Sequence, residues 1–283
     1  MTTNKTQKTV VITGASSGFG LLTALAFVRQ NFHVIASMRD PAKQGDLLTL
    51  AHAQQCLHNI KIARLDITCE ASIQQFAQGL TQVDILVNNA GFAYAGFVED
   101  CAVEAYQKQF ATNFFGVIAI TQVVLPLMLR QKSGRIINVS SISGIIGFPG
   151  ISAYVASKHA LEGWSECLRL ELATENIHVS LIEPGSYQTN IWSGGTRVVD
   201  EEHVNRSRHQ SFYASHEDFI SKNLAKMGNP TDVADKIVSI AQTRKPRLRY
   251  PIGKGVRLMI AIKSILPWNI WQRCILKAFK NAS

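Results

Sequence analysis

The chain has 283 residues, 46% hydrophobic and 17% charged, enough apolar material for one large α/β core and too much for a disordered chain. Its five cysteines, Cys56, Cys69, Cys101, Cys167 and Cys274, are odd in number, far apart and without a C-x-x-C pair. That argues against a disulfide framework or a structural zinc site and for a reducing, cytoplasmic setting. The net charge of +9 is uneven, because ten Lys/Arg and no Asp/Glu lie from Arg244 onward, leaving nineteen cations against twenty acids before it. An enzyme of nucleic acids would carry its positive charge around a cleft, so no nucleic-acid partner is expected.

Met1 to Lys8 is polar and offers no signal-peptide core. Apolar runs then alternate with helical patterns, as in βαβ units on a parallel sheet. Thr9–Thr13 reads as the first strand, and after a glycine turn a helix runs from about Gly18 to Gln30. His33–Ser37 is the second strand, and a helix after Pro41 leads to a third at Ile60–Leu65. Val83–Val87 is the fourth, followed by a helix over roughly Ala105 to Gln131. The apolar stretch in that helix, Gly116 to Leu129, falls short of the ~20 residues a membrane span needs. Arg135–Ser140, a helix from Ser152 to Thr174 and the strand Ile177–Ile182 follow, the last stopped by Pro184-Gly185. Residues 186–225 are polar and weakly patterned, as expected of a segment covering a site. Asn229-Pro230-Thr231 opens a helix to Gln242, and Leu248–Ile252 is a last strand. The expectation is one α/β domain over 1–283, with 254–283 as a basic amphipathic extension.

Thr13-Gly14-Ala15-Ser16-Ser17-Gly18-Phe19-Gly20 joins the first strand to the first helix. Residues without Cβ let a pyrophosphate approach closely, and a helix N-terminus supplies amide donors and a favourable dipole. The spacing is G-x-x-x-G-x-G, so Gly14, Ser16, Ser17, Gly18, Phe19 and Gly20 are candidate dinucleotide contacts. Gly14-Ala15-Ser16-Ser17-Gly18 also matches the G-x-S-x-G nucleophile elbow of hydrolases. A serine hydrolase built on Ser16 would need an acid and a histidine downstream, and only His203, His209 and His216, in the polar segment, offer one.

Tyr154-Val155-Ala156-Ser157-Lys158 places Tyr and Lys at i and i+4 on one helix face. A phenol titrates near ~10, and a fixed ammonium beside it, with the positive nicotinamide of an oxidised cofactor, would lower that value toward useful acid–base work. Ser141 closes the fifth strand thirteen residues earlier, where its hydroxyl is placed to hold a substrate oxygen.

Thr13–Gly20, Asn88-Asn89-Ala90-Gly91, Asn113, Ser141, Tyr154-x-x-x-Lys158 and Pro184-Gly185 occur in the order and spacing of the short-chain dehydrogenase/reductase family. The chain resembles that family from about Thr9 to Thr189. The resemblance implies a doubly wound Rossmann domain with a mainly parallel sheet and a site at the sheet's C-terminal edge. It implies Tyr154 as general acid/base, with Lys158 lowering its pKa and binding the nicotinamide ribose. Ser141 then orients the substrate oxygen, and Asn113 holds a water linking Lys158 to solvent. Asn89, Pro184, Gly185 and Thr189 are implied cofactor contacts, and Asp66 meets the adenine. Read for themselves, Asn88-Asn89 also suit turn caps and Asp66 a helix N-cap before Ser72. Family members are often dimers or tetramers, so a homo-oligomer is expected by analogy. A cofactor-binding sensor without turnover is the alternative that an intact Ser–Tyr–Lys set opposes.

An acid at the end of the second strand selects NAD, and Arg selects the 2′-phosphate of NADP. Ser37 is read in the position where family members using NAD often carry Asp, and Arg39 stands ready for a phosphate, with Asp40 beside it as a competing charge. NADP(H) is therefore expected over NAD(H). The stretch Ile142 to Ile151 and Phe92-Ala93-Tyr94 are apolar, and if they line the pocket the substrate is a lipophilic alcohol, ketone or aldehyde, handled as a reductase. Met38-Arg39-Asp40-Pro41 and Arg249-Tyr250-Pro251 are similar to the steroid and retinoid dehydrogenase branch. In Pro267–Lys280, Trp268, Trp271, Ile275 and Phe279 share one face and Lys/Arg the other, which suits packing on the domain first and peripheral membrane contact second.

Overall fold

Strands that are covered by helices on both faces need apolar residues pointing both ways, and the first strand shows it. In β1 (Thr9–Thr13), Val10, Val11 and Ile12 are all fully buried. Alternate residues feed different layers: Val10 and Ile12 join one core cluster and Val11 the other. The strands after it are β2 (His33–Met38), β3 (Ile60–Arg64), β4 (Ile85–Asn88), β6 (Gly134–Val139), β7 (Ile177–Pro184) and β9 (Arg249–Ile252). Together with β1 they form a seven-stranded parallel sheet in the order β3-β2-β1-β4-β6-β7-β9. The order reverses between β1 and β4, which opens a crevice at the carboxyl edge.

One face is covered by α1 (Gly18–Arg29), α2 (Gly45–Ala53) and α8 (Pro230–Gln242), the last following a short α7 (Glu201–Arg206), through Leu25, Phe27, Leu47, Val233 and Ile237. The other is covered by α3 (Glu70–Gln78), α5 (Gly116–Gln131) and α6 (Ser152–Glu171), through Phe76, Ile120, Val124, Met128 and Leu168. Asn229 caps α8 by accepting the Thr231 N–H at 3.0 Å.

The structure, a computed structural model, describes residues 7–189, 191, 196–199, 201–210, 213 and 227–280, with the backbone alone at 196–198, 201–203 and 278–280. Half of the expected covering segment 186–225, and the side chains of His203, His216, Phe279 and Lys280, thus lie outside the described residues. All seven expected strands are in the sheet. β7 runs two residues past the expected stop, because Glu183 and Pro184 still pair with Pro251 and Ile252 of β9.

Three elements depart from expectation. α3 carries only Ile73 and Phe76 as buried apolar residues, too few for a visible periodicity. A second sheet pairs β5 (Ala93–Ala95) with β8 (Thr196–Val198), a contact about a hundred residues apart in the chain. The long central helix begins earlier, as α4 (Val103–Phe110), and passes through a π turn at Ala111–Phe115 into α5. That makes 29 continuous residues, long and apolar enough to span a bilayer, contrary to the shortfall read from Gly116–Leu129. Its Ile120–Val124–Met128 row is fully buried on the sheet, which identifies a core helix. The tail is two helices, α9 (Val256–Ile265) and α10 (Trp268–Lys280), divided by Pro267.

Candidate active site

A cleft of about 600 Å³ runs along the carboxyl edge of the sheet, from Arg39 and Asp66 at one end to Ser141, Tyr154 and Lys158 at the other. Gly14, Ser16, Ser17, Gly18, Phe19, Asn89, Pro184, Gly185 and Thr189 line it as well. Gly20 stands behind the wall, and Asn113 contributes through its π turn, whose Ala111 and Thr112 face the cleft.

The glycine turn is held from behind. Asn89 Nδ2 donates to the carbonyls of Thr13 at 2.9 Å and Gly14 at 3.0 Å, while the Thr13 hydroxyl accepts the Asn89 and Ala90 N–H groups. Gly14 has φ +68, and a Cβ there would meet Ala90 Cα at 2.8 Å. Gly18 has φ +55, and a Cβ there would meet nothing nearer than Thr189 at 3.7 Å, so this wall is left open toward the cleft. α1 starts with no side-chain cap on its amides and no acid in its first turn, a donor set suited to a phosphate. Tyr187, not singled out in the sequence, closes the turn by packing edge-on against Phe19 at 5.7 Å.

At the Arg39–Asp66 end of the cleft the reading of the second strand needs correction. Ser37 is buried and donates to the Ile12 carbonyl at 3.0 Å, so it belongs to the sheet. The cleft wall there is Met38, then Arg39 and Asp40, with Lys43 a second cation missed in the sequence. Asp40 accepts the Ala42 N–H at 3.0 Å as the cap of a short 3₁₀ turn. Asp66 accepts both the N–H and the hydroxyl of Thr68, at 2.9 and 2.7 Å. It is therefore a loop turn and not the N-cap of α3, a place taken by Cys69. Burial would raise its carboxyl, but the Thr68 bonds with Arg39 and Arg64 hold it below the usual range.

At the other end Tyr154 and Lys158 are buried on one face of α6. The Lys158 ammonium lies 5.7 Å from the Tyr154 ring centre and donates to the Val139 carbonyl at 2.7 Å. Ser141 hydrogen-bonds the phenol and also accepts the Ser143 N–H at 3.1 Å. Burial pushes Tyr154 up to about 12, against the pull of Ser141. Burial likewise brings Lys158 down to about 8, against the Glu162 carboxylate. Asn113 is buried, with its side chain latched on the Phe92 backbone and on Ser157 Oγ at 3.2 Å. It thus fixes the π turn whose Ala111 and Thr112 line the cleft.

Ser16 has no base beside it, since no described histidine lines the cleft. His209 stacks on Phe97 at 3.6 Å and lies 3.3 Å from Glu99. Of the apolar residues proposed as pocket, Ile146 and Ala93 are fully buried core. Phe148 and Pro149 instead line an apolar cavity of about 550 Å³ between the start of α6 and Trp268, Trp271 and Ile275 of α10. No described group of His, Cys, Asp and Glu is arranged to hold a metal ion.

A glycine-walled cleft at the switch point of a seven-stranded parallel sheet defines a Rossmann-type dinucleotide-binding protein. The short chain dehydrogenase family model matches residues 8–197. The chain belongs to the short-chain dehydrogenase/reductase family and is an oxidoreductase of that family. It is 45% identical over 275 residues to the uncharacterized oxidoreductase YusZ of Bacillus subtilis, covering 96% of this chain and 98% of that one. It is 35% identical to retinol dehydrogenase 8 of Bos taurus, covering 92% and 86%. A short-chain dehydrogenase from Streptomyces avermitilis superposes with a TM-score of 0.79 at 29% identity, covering 98% and 97%. Solved structures of both cofactor types are similar: a serine dehydrogenase complexed with NADP+ (TM-score 0.71, 26% identity, 86% and 94% covered) and a Burkholderia phymatum enzyme with NAD (0.76, 26%, 91% and 93%).

Proposed function

We propose that the protein is an NADP(H)-dependent reductase of lipophilic ketones or aldehydes, with Tyr154 as its general acid/base. The observation that carries this is the placement of the Tyr154 phenol, bonded to Ser141 and beside Lys158, in the same cleft as the glycine turn. The bound nicotinamide supplies or accepts the hydride. Ser141 orients the carbonyl oxygen, and Tyr154 Oη gives that oxygen its proton. A phenol pushed up to about 12 is protonated across physiological pH, the state a proton donor needs. Lys158 holds the ribose and keeps positive charge beside the phenolate left after transfer, with the Asn113 turn positioning a water between its ammonium and solvent. Tyr154→Phe, followed through reduced-nicotinamide absorbance, tests the reading.

NADP(H) preference rests on Arg39 and Lys43 at the adenosine end, with Met38 where an acid would favour a bare ribose. Arg39→Ala is expected to weaken NADPH binding roughly ten- to hundred-fold, the worth of a charge-assisted bond to phosphate, and to leave NADH nearly unchanged. Equal losses for both cofactors in a direct titration would reject the preference. The lipophilic class is supported by Phe92 and Ile191, apolar residues of the cleft wall, and by the name of the retinol dehydrogenase relative.

We further propose that the tail makes a peripheral contact with an anionic membrane. Leu258, Ile262 and Ile265 of α9 and Trp268 and Ile270 of α10 are exposed, among cations and no acids from Arg244 onward. Apolar side chains beside Lys and Arg suit a negatively charged lipid interface, whereas a second copy of this face would bring like charges together. Flotation with phosphatidylglycerol vesicles should carry the wild type, and should lose Leu258→Glu/Ile265→Glu while its turnover of a soluble aldehyde persists. No flotation of the wild type, or undiminished flotation of the variant, would refute the contact.

A further inference from the structure

Behind Lys158, on the side away from the cleft, lies a group of charges, partly buried, that the proton step does not use. Lys158, Glu162 and Glu166 follow one another at four-residue spacing along α6, and the first two are almost wholly buried. Arg249 enters from β9. Its Nε lies 2.9 Å from Glu162 Oε2 and 3.3 Å from Glu183 Oε1, and its terminal nitrogen lies 2.7 Å from Glu166. Glu183, fully buried on β7, has no other partner for either carboxylate oxygen. The turn after β6 closes directly on this group, since a Cβ on Gly144 would meet Ser140 Oγ at 2.7 Å and Glu162 Cγ at 2.9 Å.

Two buried carboxylates around one guanidinium do not both ionise easily. Burial and the neighbouring Glu162 push Glu183 up to about 8, so it is largely protonated at neutral pH. Burial also raises Glu162, but Ser140, Arg249 and Lys158 all draw it back toward the carboxylate. Glu162 has the nearer guanidinium nitrogen, at 2.9 Å against 3.3 Å for Glu183, so the negative charge resides there.

We propose that the Glu162–Arg249 pair is a positioning unit for Lys158, with the Glu162 carboxylate supplying the charge that keeps the ammonium protonated in a buried place. Arg249 holds that carboxylate ionised and in register with α6. The charged groups around Lys158 are Glu162 and Glu166 on its own helix, Glu183 on β7 and Arg249 on β9, with the Tyr154 phenol on the cleft side. The inference rests on the proposed reaction only for its consequence in turnover; the charge relation itself is independent of it.

The test is a titration of the Lys158 ε-carbon by NMR in the cofactor-free protein labelled with ¹³C-lysine, the resonance assigned by its loss in Lys158→Met. Glu162 favours the charged amine, so Glu162→Gln must move the midpoint downward from the wild-type value near 8, by about one pH unit. Arg249→Gln should move it the same way, because Glu162 then takes up a proton. Glu162→Asp keeps the charge and should retain most of the wild-type midpoint. In carbonyl reduction, with decanal as probe, the alkaline limb of kcat/KM should move to lower pH in Glu162→Gln by the same amount. An unmoved Lys158 midpoint in folded Glu162→Gln or Arg249→Gln, or equal shifts in Glu162→Asp and Glu162→Gln, would overturn the proposal. Persistence of turnover in Tyr154→Phe would instead remove the reaction and leave the NMR result standing.

Discussion

Tyr154→Phe should lower kcat for carbonyl reduction by roughly 10²- to 10⁴-fold, the range a positioned general acid supplies. The ring is 4% exposed, and its packing is unchanged by loss of one oxygen. The variant should therefore fold, and it should bind NADPH within a few-fold of wild type by fluorescence titration. Ser141 loses a partner but keeps the Ser143 N–H at 3.1 Å, so the loop after β6 stays in place. This separation of chemistry from binding distinguishes an acid from a scaffold residue, because a structural tyrosine would lose both or neither. Turnover within tenfold of wild type would remove Tyr154 from the mechanism. Loss of NADPH binding along with activity would reduce the residue to a wall of the cleft.

Much of the fold was legible because parallel strands buried on both faces read as unbroken Val/Ile runs, as in Val10-Val11-Ile12 and Ile136-Ile137. The Tyr154–Lys158 pair was legible because helical spacing alone puts i and i+4 on one face. Ser37 was misassigned because strands alternate faces, so a reading one residue off moves a side chain from cleft to core; Met38 is the residue on the wall. The phenol's upward shift was hidden because burial at Tyr154 is made by distant elements and leaves no mark in Y-x-x-x-K. The β5–β8 pairing and the Arg249–Glu162 contact, 87 residues apart, were illegible for the same reason. Arg249 was counted with a basic tail, yet three carboxylates surround it.

Gly20→Ala should damage the cofactor end as Tyr154→Phe damages the reacting end, and by a different route. A methyl at Gly20 would stand 2.3 Å from the Gly14 carbonyl oxygen and 2.5 Å from Asn89 Nδ2. Those are the two atoms of the 3.0 Å bond that holds the turn. Backbone lies on one side and a side chain with a second bond to Thr13 on the other, so neither yields freely. Overpacking of this kind costs about 1–3 kcal/mol, and a buried amide parted from its carbonyl costs a similar amount. The melting temperature should fall by several degrees. NADPH affinity should drop at least about tenfold, because the displaced Gly14 belongs to the wall a pyrophosphate would approach. Gly163 supplies the contrast: it lies within exposed α6 surface, where an added Cβ meets nothing within 4 Å. Gly163→Ala should thus stabilise the helix by about 0.5–1 kcal/mol without touching cofactor affinity. If Gly20→Ala bound NADPH like wild type, the turn would have to be free to move away from Asn89, and the rigid cradle inferred for the dinucleotide would be wrong.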